Sequence, residues 1–321
     1  MTHLPILPIV LPMVVGGSMN FKRGVSLLAT FLQLPLAIML LLRASEGTLV
    51  YTLGNWAPPF GIVLVVDRLS ALMLFITAVL AFCALLFSLR GDDAAGRNFH
   101  PLFQFQLMGI TGAFLTGDLF NLFVFFEILL IASYALLLHG AGSARVRAGL
   151  HYVLLNLTGS ALFLIAVGTL YGVLGTLNMA DLAIRVSQVS PEDQPLVGAA
   201  GMLLLVVFGL KTAMFPLYFW LPRAYSAASA PVGALFAIMT KVGLYSILRV
   251  YTLIFGEQAD SLAFMVNEWL WPLALVTLLL GALGALAAAT LSGLIAYLVV
   301  LSVGTMLAGL AIGTPEALRA T

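Results

Sequence analysis

Three ionisable side chains fall near the centres of membrane-length apolar stretches: Glu127, Lys211 and Lys241. A charge in hydrocarbon costs roughly 3 kcal/mol on insertion scales, so such residues face a bundle interior or a water-filled cavity and mark proton or ion paths. One carboxylate and two ammonium groups are enough for a proton relay. Burial favours the neutral form of either group, and a nearby opposite charge restores the ionised form. A lysine that alternately gains and loses a carboxylate partner therefore takes up and releases a proton. A second reading stays open, in which the charges form a static ion pair that fixes helix packing.

Each residue sits in a distinctive run. Glu127 lies in FNLFVFFEILLIASY, with no charged neighbour in that stretch. Lys241 lies in VGALFAIMTKVGLYSILRVY, where Thr240, Tyr245 and Ser246 offer hydroxyls for bridging waters. Snorkelling to an interface is the alternative for a long cationic side chain, and the central position of Lys241 opposes it. Lys211 lies in VVFGLKTAMFPLYFWLPRAYSAASA, which is followed by Pro231. Proline removes a backbone donor and clashes with the preceding turn. Pro216 and Pro222 therefore predict a helix broken about one turn after Lys211. Broken helices at membrane depth are tolerated where they line a water-filled cavity, and transporters build binding sites from them. A packing kink without function is the alternative.

Weaker candidates surround these three. Asp118 follows Gly117 just before an apolar run and reads as a helix N-cap. His151 opens the sixth apolar stretch and either feeds protons to a relay or is simply interfacial. Asn156, Thr158 and Ser160 read as helix-contact residues. Arg223 follows the break and either gates it or, the favoured reading, meets a lipid headgroup.

The elements that must hold these side chains follow from composition. The 321 residues are 62% hydrophobic and 8% charged, with a mean hydropathy of +1.12. Serial apolar runs of about 20 residues mean an all-α polytopic membrane protein. Ten spans are expected, near 4–19, 24–42, 68–89, 99–116, 118–138, 147–174, 196–216, 231–254, 270–290 and 291–313. The first carries three prolines and no basic leader, so it reads as a span and not as a cleaved signal. Gly54, Pro58 and Pro59 precede the run Ile62-Val63-Leu64-Val65-Val66, and the stretch 48–67 is expected to form a short external hairpin. Pro191, Glu192, Asp193 and Pro195 mark a polar loop.

Loop charges give an orientation. With Lys22 and Arg23 inside, Arg90, Arg97, Arg145, Arg147 and Arg223 also fall inside, whereas Arg43, Arg68, Arg185, Arg249 and Arg319 fall outside. That modest excess follows the positive-inside rule and puts Glu316 and both termini outside.

The single cysteine, Cys83, excludes a disulfide framework and a thiolate metal cluster. GxGxxG, Walker A, HExxH and CxxC patterns are absent, so no cofactor or metal site of its own and no nucleic-acid partner is expected.

Three stretches carry a family resemblance: GDLFNLFVFFEILLIASYALL (117–137), GLKTAMFPLYFWLPRAYSAASAPVGALFAIMTKVGLY (209–245), and GNWAPPFGI with VVDRLSALM (54–73). The chain resembles the antiporter-like subunits shared by respiratory complex I and the Mrp (also Mnh or Pha) cation/proton antiporters, most closely the D-type subunits of the latter. The resemblance covers essentially the whole chain. It implies that Glu127 matches the family's fifth-helix glutamate, Lys211 the lysine on its broken seventh helix and Lys241 its eighth-helix relay lysine. It implies the first part of a fold of about fourteen helices, built from inverted five-helix half-channels. On that pattern residues 1–98 are three N-terminal spans with the hairpin, 99–254 the first half-channel, and 255–321 the start of a second. The chain stops at Thr321 after span ten, so it is expected to be a fragment, or a subunit whose second repeat lies elsewhere. ATLSGLIAYLVV lacks the basic residue that often opens the tenth helix in complex I relatives. The implied function is that of a bacterial inner-membrane subunit, working with other subunits to exchange protons for sodium or potassium. Redox-coupled proton pumping and a purely structural role are the alternatives. The sequence does not name the cation.

Overall fold

Apolar runs become helices wherever cap and turn chemistry allows. In the computed structural model, which describes residues 3–18, 23–314 and 317, helix accounts for nearly every apolar run. Lys22 and Arg319, used above to orient the loops, and Glu316, placed by that orientation, lie outside the described residues. The chain divides into two units, Met1–Val146 with Ala228–Ile238, and Arg147–Ala227 with Met239–Thr321.

The first unit contains α1 (Leu7–Gly17), α2 (Arg23–Glu46), α3 (Arg68–Ser88), α4 (Phe99–Leu115) and α5 (Leu119–Leu137). Between α2 and α3, β1 (Leu49–Thr52) pairs antiparallel with β2 (Val63–Val66), from Leu49 opposite Val66 to Thr52 opposite Val63. This is the expected hairpin. It docks on the α4–α5 link, where the Gly117 amide donates to the Val63 carbonyl at 2.9 Å. Asp67 and Ser70 form a reciprocal capping box that starts α3. Helices α4 and α5 lie back to back because Gly109 has no side chain: a Cβ there would come within 2.6 Å of the Leu129 backbone nitrogen.

One polar knot ties the loop end of this unit. The Asp93 side chain is 1% exposed. It accepts from Arg23 Nη2 at 2.9 Å and lies 3.1 Å from His100 Nε2. The pairing puts Arg23 at the same end as the 90–97 loop, in keeping with the loop-charge orientation. Asp93→Ala leaves the largely buried His100 ring without its partner and frees the exposed Arg23, at about 1–3 kcal/mol. It should lower the melting midpoint of the detergent-solubilised assembly by several degrees.

The second unit holds most of α6 (Ser143–Leu174), then α7 (Met179–Val186), α8 (Gln194–Thr212) and α9 (Trp220–Ala227). Helix α10 (Ala230–Arg249) starts in the first unit and runs into a π turn at Val250–Ile254, and α11 (Asn267–Leu286) and α12 (Leu291–Ile312) close the chain. Short helix α7 falls in a stretch expected to be loop. It buries Met179, Leu182 and Val186, an i, i+3, i+7 stripe, against the π turn.

Among the described residues, eight stretches are long and apolar enough to cross a membrane. The other two expected spans are shorter helices, Leu4–Gly17 and the 17-residue α4. At 1.5 Å per residue, 17 residues cover about 26 Å, slightly less than a hydrocarbon core of about 30 Å. Helix α6 begins at Ser143, earlier than expected, and has 32 residues. His151 therefore lies two turns inside α6 and does not open it.

Candidate functional site

The break after Lys211 organises the second unit. Helix α8 ends at Thr212 because Ala213 adopts a left-handed conformation (φ 63°) and turns the chain. The Met214 amide then donates back to the Gly209 carbonyl at 2.8 Å, a Schellman-like end. Pro216 follows at the start of a single 3₁₀ turn, Leu217–Phe219, and α9 resumes at Trp220. The sequence places the break about one turn after Lys211, as found, on the strength of both prolines. Only the region of Pro216 is interrupted. Pro222 lies within the first turn of α9, where a missing amide costs nothing.

Breaking a helix in an apolar environment exposes backbone groups that need partners. The structure supplies them from other helices. Trp220 Nε1 donates to the Leu210 carbonyl at 3.1 Å, and the Phe215 amide donates to Thr277 Oγ1 on α11 at 2.9 Å. Trp220→Phe keeps the ring and removes that donor, at about 0.5–1.5 kcal/mol. A small drop in thermal midpoint with transport retained is the expected result.

Lys211 lies in the last turn of α8 and is 4% exposed. Its Nζ donates to the Asn156 carbonyl at 3.4 Å and to Ser160 Oγ at 3.3 Å, both on α6. Ser160 in turn donates to the Asn156 carbonyl at 3.0 Å. Asn156 and Ser160, expected to be helix-contact residues, are thus lysine ligands. Thr158 is exposed and bonds only within its own helix, to the Leu154 carbonyl.

Lys241 is brought next to this end of α8. Thr212 Oγ1 donates to the Thr240 carbonyl at 2.8 Å, so the residues following Lys211 and preceding Lys241 are bonded directly. A Cβ at Gly243 would fall 2.8 Å from the Thr212 nitrogen and 3.0 Å from the Lys211 carbonyl carbon, so the two backbones touch there. Lys241 Nζ donates to Ser302 Oγ on α12 at 2.6 Å. Of the hydroxyls expected around Lys241, Tyr245 accepts from Arg249 Nε at 2.9 Å and Ser246 donates to the Val242 carbonyl at 2.8 Å. Ser302 was missed from sequence. The available signal was a serine near the middle of the tenth span, with Thr305 three residues further on.

Glu127 belongs to the first unit. By helix periodicity it points about 200° away from Phe125 and Leu129, which face α4. It is half-buried and interacts electrostatically with Tyr134, seven residues on along the same face. Asp118 is the N-cap of α5, its carboxylate accepting from the Asn121 amide at 2.8 Å. His151 is exposed, with Nδ1 3.2 Å from the Arg147 carbonyl. Arg223 is exposed in the first turn of α9. Among the described residues, no group of three or more His, Cys, Asp or Glu is placed to hold a metal ion.

The fold defines the class: a polytopic helical membrane protein with a helix interrupted beside a buried lysine. Residues 116–321 match the family described as NADH:quinone oxidoreductase/Mrp antiporter, TM, and the chain belongs to that family. It is 47% identical over 325 residues to the D-type subunit of a probable K(+)/H(+) antiporter of Rhizobium meliloti (strain 1021), covering 97% of this chain and 60% of the relative. It is 40% identical over 330 residues to the D-type subunit of the Na(+)/H(+) antiporter of Bacillus subtilis (strain 168), covering 99% and 66%. A chain in the solved structure of the Mrp complex from Dietzia sp. DQ12-45-1b matches with a TM-score of 0.88 and 32% identity, covering 99% of this chain and 60% of that one. The chain thus spans about 60 to 66% of the length of these relatives.

Proposed function

We propose that this chain is part of a D-type subunit of a multi-subunit antiporter in a bacterial plasma membrane, exchanging protons for sodium or potassium. The observation that carries the reading is a 4%-exposed lysine at the end of an interrupted membrane helix, bonded through neighbouring residues to the backbone beside a second lysine. Glu127 holds Lys211 protonated. When that pair opens, the Lys211 proton passes through water to Lys241. Residues 1–98 are three N-terminal spans with the hairpin, 99–254 act as one half-channel, and 255–321 begin the next. Thr240 fixes the α8–α10 contact, and Pro216 keeps the interrupted stretch from re-forming helix. Asp118 and Pro222 serve the fold around it. His151, on the exposed face of α6, is an accessory group that either feeds protons to the relay or sits at the interface. Other subunits, and lipid at Arg223, complete the setting.

The names of the relatives favour antiport over the redox-coupled pumping that the family description also includes. The test is cation-induced collapse of a pH gradient in everted vesicles carrying the complete complex. Glu127→Ala should lower the response by about tenfold or more, with assembly intact on a native gel. Parallel sodium and potassium titrations of the unaltered complex identify the cation. No response to either ion from an assembled complex overturns the antiporter reading.

A further inference from the structure

Resting on the reading of Lys241 as a relay group, we propose that Ser302 is the next group on the proton's path, receiving the proton that Lys241 gives up. Lys241 Nζ and Ser302 Oγ are 2.6 Å apart, a direct contact between α10 and α12 with no gap for an intervening water. Ser302 is the twelfth of the 22 residues of α12, about 16 Å along the axis from either end. A hydroxyl at that depth adds little to helix stability, since serine is a neutral to unfavourable helix-interior residue. It is a one-proton, two-lone-pair group, able to accept from one side and donate on the other. Here the oxygen accepts from Lys241 while its proton points to the Val299 carbonyl, 2.8 Å away.

The neighbouring packing holds that hydroxyl in register. A Cβ on Gly304 would lie 2.4 Å from the Leu278 nitrogen, and one on Gly281 would lie 2.5 Å from the Leu301 nitrogen. Helices α11 and α12 therefore meet backbone to backbone on both sides of Ser302, and α12 also packs on α9, just past the break. Sliding α12 by one residue would drive these glycine contacts into side chains. Ser302 is thus presented to Lys241 from a fixed helix.

The transfer balances with one water. The Lys241 N–H bond breaks as an O–H bond forms on Ser302. The original Ser302 proton leaves the Val299 carbonyl for a water molecule beyond it. Lys241 ends neutral, Ser302 unchanged and the water protonated. Loss of the hydroxyl interrupts this hop while leaving both helices in place.

The experiment uses the complete complex in everted vesicles, with assembly checked on a native gel. Ser302→Ala should lower cation-driven proton movement by about 100-fold or more, the scale of a lost proton-transfer group. Ser302→Thr and Ser302→Val have nearly the same shape and differ in the hydroxyl, so threonine should keep most of the rate and valine lose it. This pair decides the matter if the alanine variant fails to assemble. Adding Ser302→Val to Lys241→Ala should cause no further loss. Equal rates for threonine and valine overturn the inference, because they show that the position serves packing only. An inactive Lys241→Ala beside a fully active Ser302→Val also overturns it, while leaving the relay intact. A fully active Lys241→Ala instead removes the relay reading itself.

Discussion

Lys211→Arg in the complete complex is expected to assemble normally and to lose at least about 100-fold in cation-driven proton movement, the loss that removal of a proton-transfer group produces. Arginine keeps the positive charge but is not deprotonated in proteins. If Lys211 were half of a static ion pair, arginine would serve nearly as well and transport would survive. If Lys211 must release its proton, arginine is fatal while charge and assembly persist. Lys211→Met supplies the converse. It fills the 4%-exposed site with an uncharged chain of similar length, and the Asn156 carbonyl keeps its bond from Ser160. The thermal midpoint should stay within a few degrees of the parent, with transport equally absent. Normal transport in both variants would show that the buried charge has no part in the path. The assay is the vesicle measurement above, with complex content normalised between preparations.

The three charges were legible because an ionisable residue in a long apolar run has few structural excuses. Their partners were not. Asn156, Ser160 and Ser302 look alike in sequence to any small polar residue that lines helix contacts. What makes the first two lysine ligands is the approach of α6 to the end of α8 at Gly159, where a Cβ would meet Leu210 Cδ2 at 2.6 Å. That approach is tertiary and leaves no mark in either helix alone. The break was legible from Pro216, but its position was set by Ala213, whose left-handed backbone is unremarkable in sequence. Pro222 misled because proline in a first turn and proline in a helix interior look the same until the helix start is known. Helix α7 did leave a signal, the Met179, Leu182, Val186 stripe, in a stretch too short for a span and therefore read as loop. The Glu127–Lys211 pairing rests on the relay reading, because the two residues belong to different units.

The α8–α10 contact at Gly243 makes a second large effect expected. Glycine inside a helix ordinarily costs about 0.5–1 kcal/mol relative to alanine, so Gly→Ala in a membrane helix is often neutral or stabilising. At Gly172 of α6, where a Cβ would meet nothing within 4 Å, that gain should be realised. At Gly243 the new methyl would sit 2.8 Å from the Thr212 nitrogen and 3.0 Å from the Lys211 carbonyl carbon. These are backbone atoms and cannot swing aside like a side-chain tip. Overpacking of this kind costs about 1–3 kcal/mol, which exceeds the propensity gain, so the clash decides the sign. The relief available is for the end of α8 to move away from α10, stretching the 2.8 Å Thr212–Thr240 bond and carrying Lys211 with it. A displacement of about 1 Å at a reacting group can cost on the order of 100-fold in rate. Gly243→Ala should therefore lower the thermal midpoint and reduce transport by about tenfold or more, and Gly243→Val should reduce it further. Gly172→Ala should be as active as the parent and at least as stable. If Gly243→Ala matched Gly172→Ala in both measurements, the backbone contact would not be what sets Lys211 beside Lys241. If stability fell while transport held, the contact would matter to the fold and not to the relay.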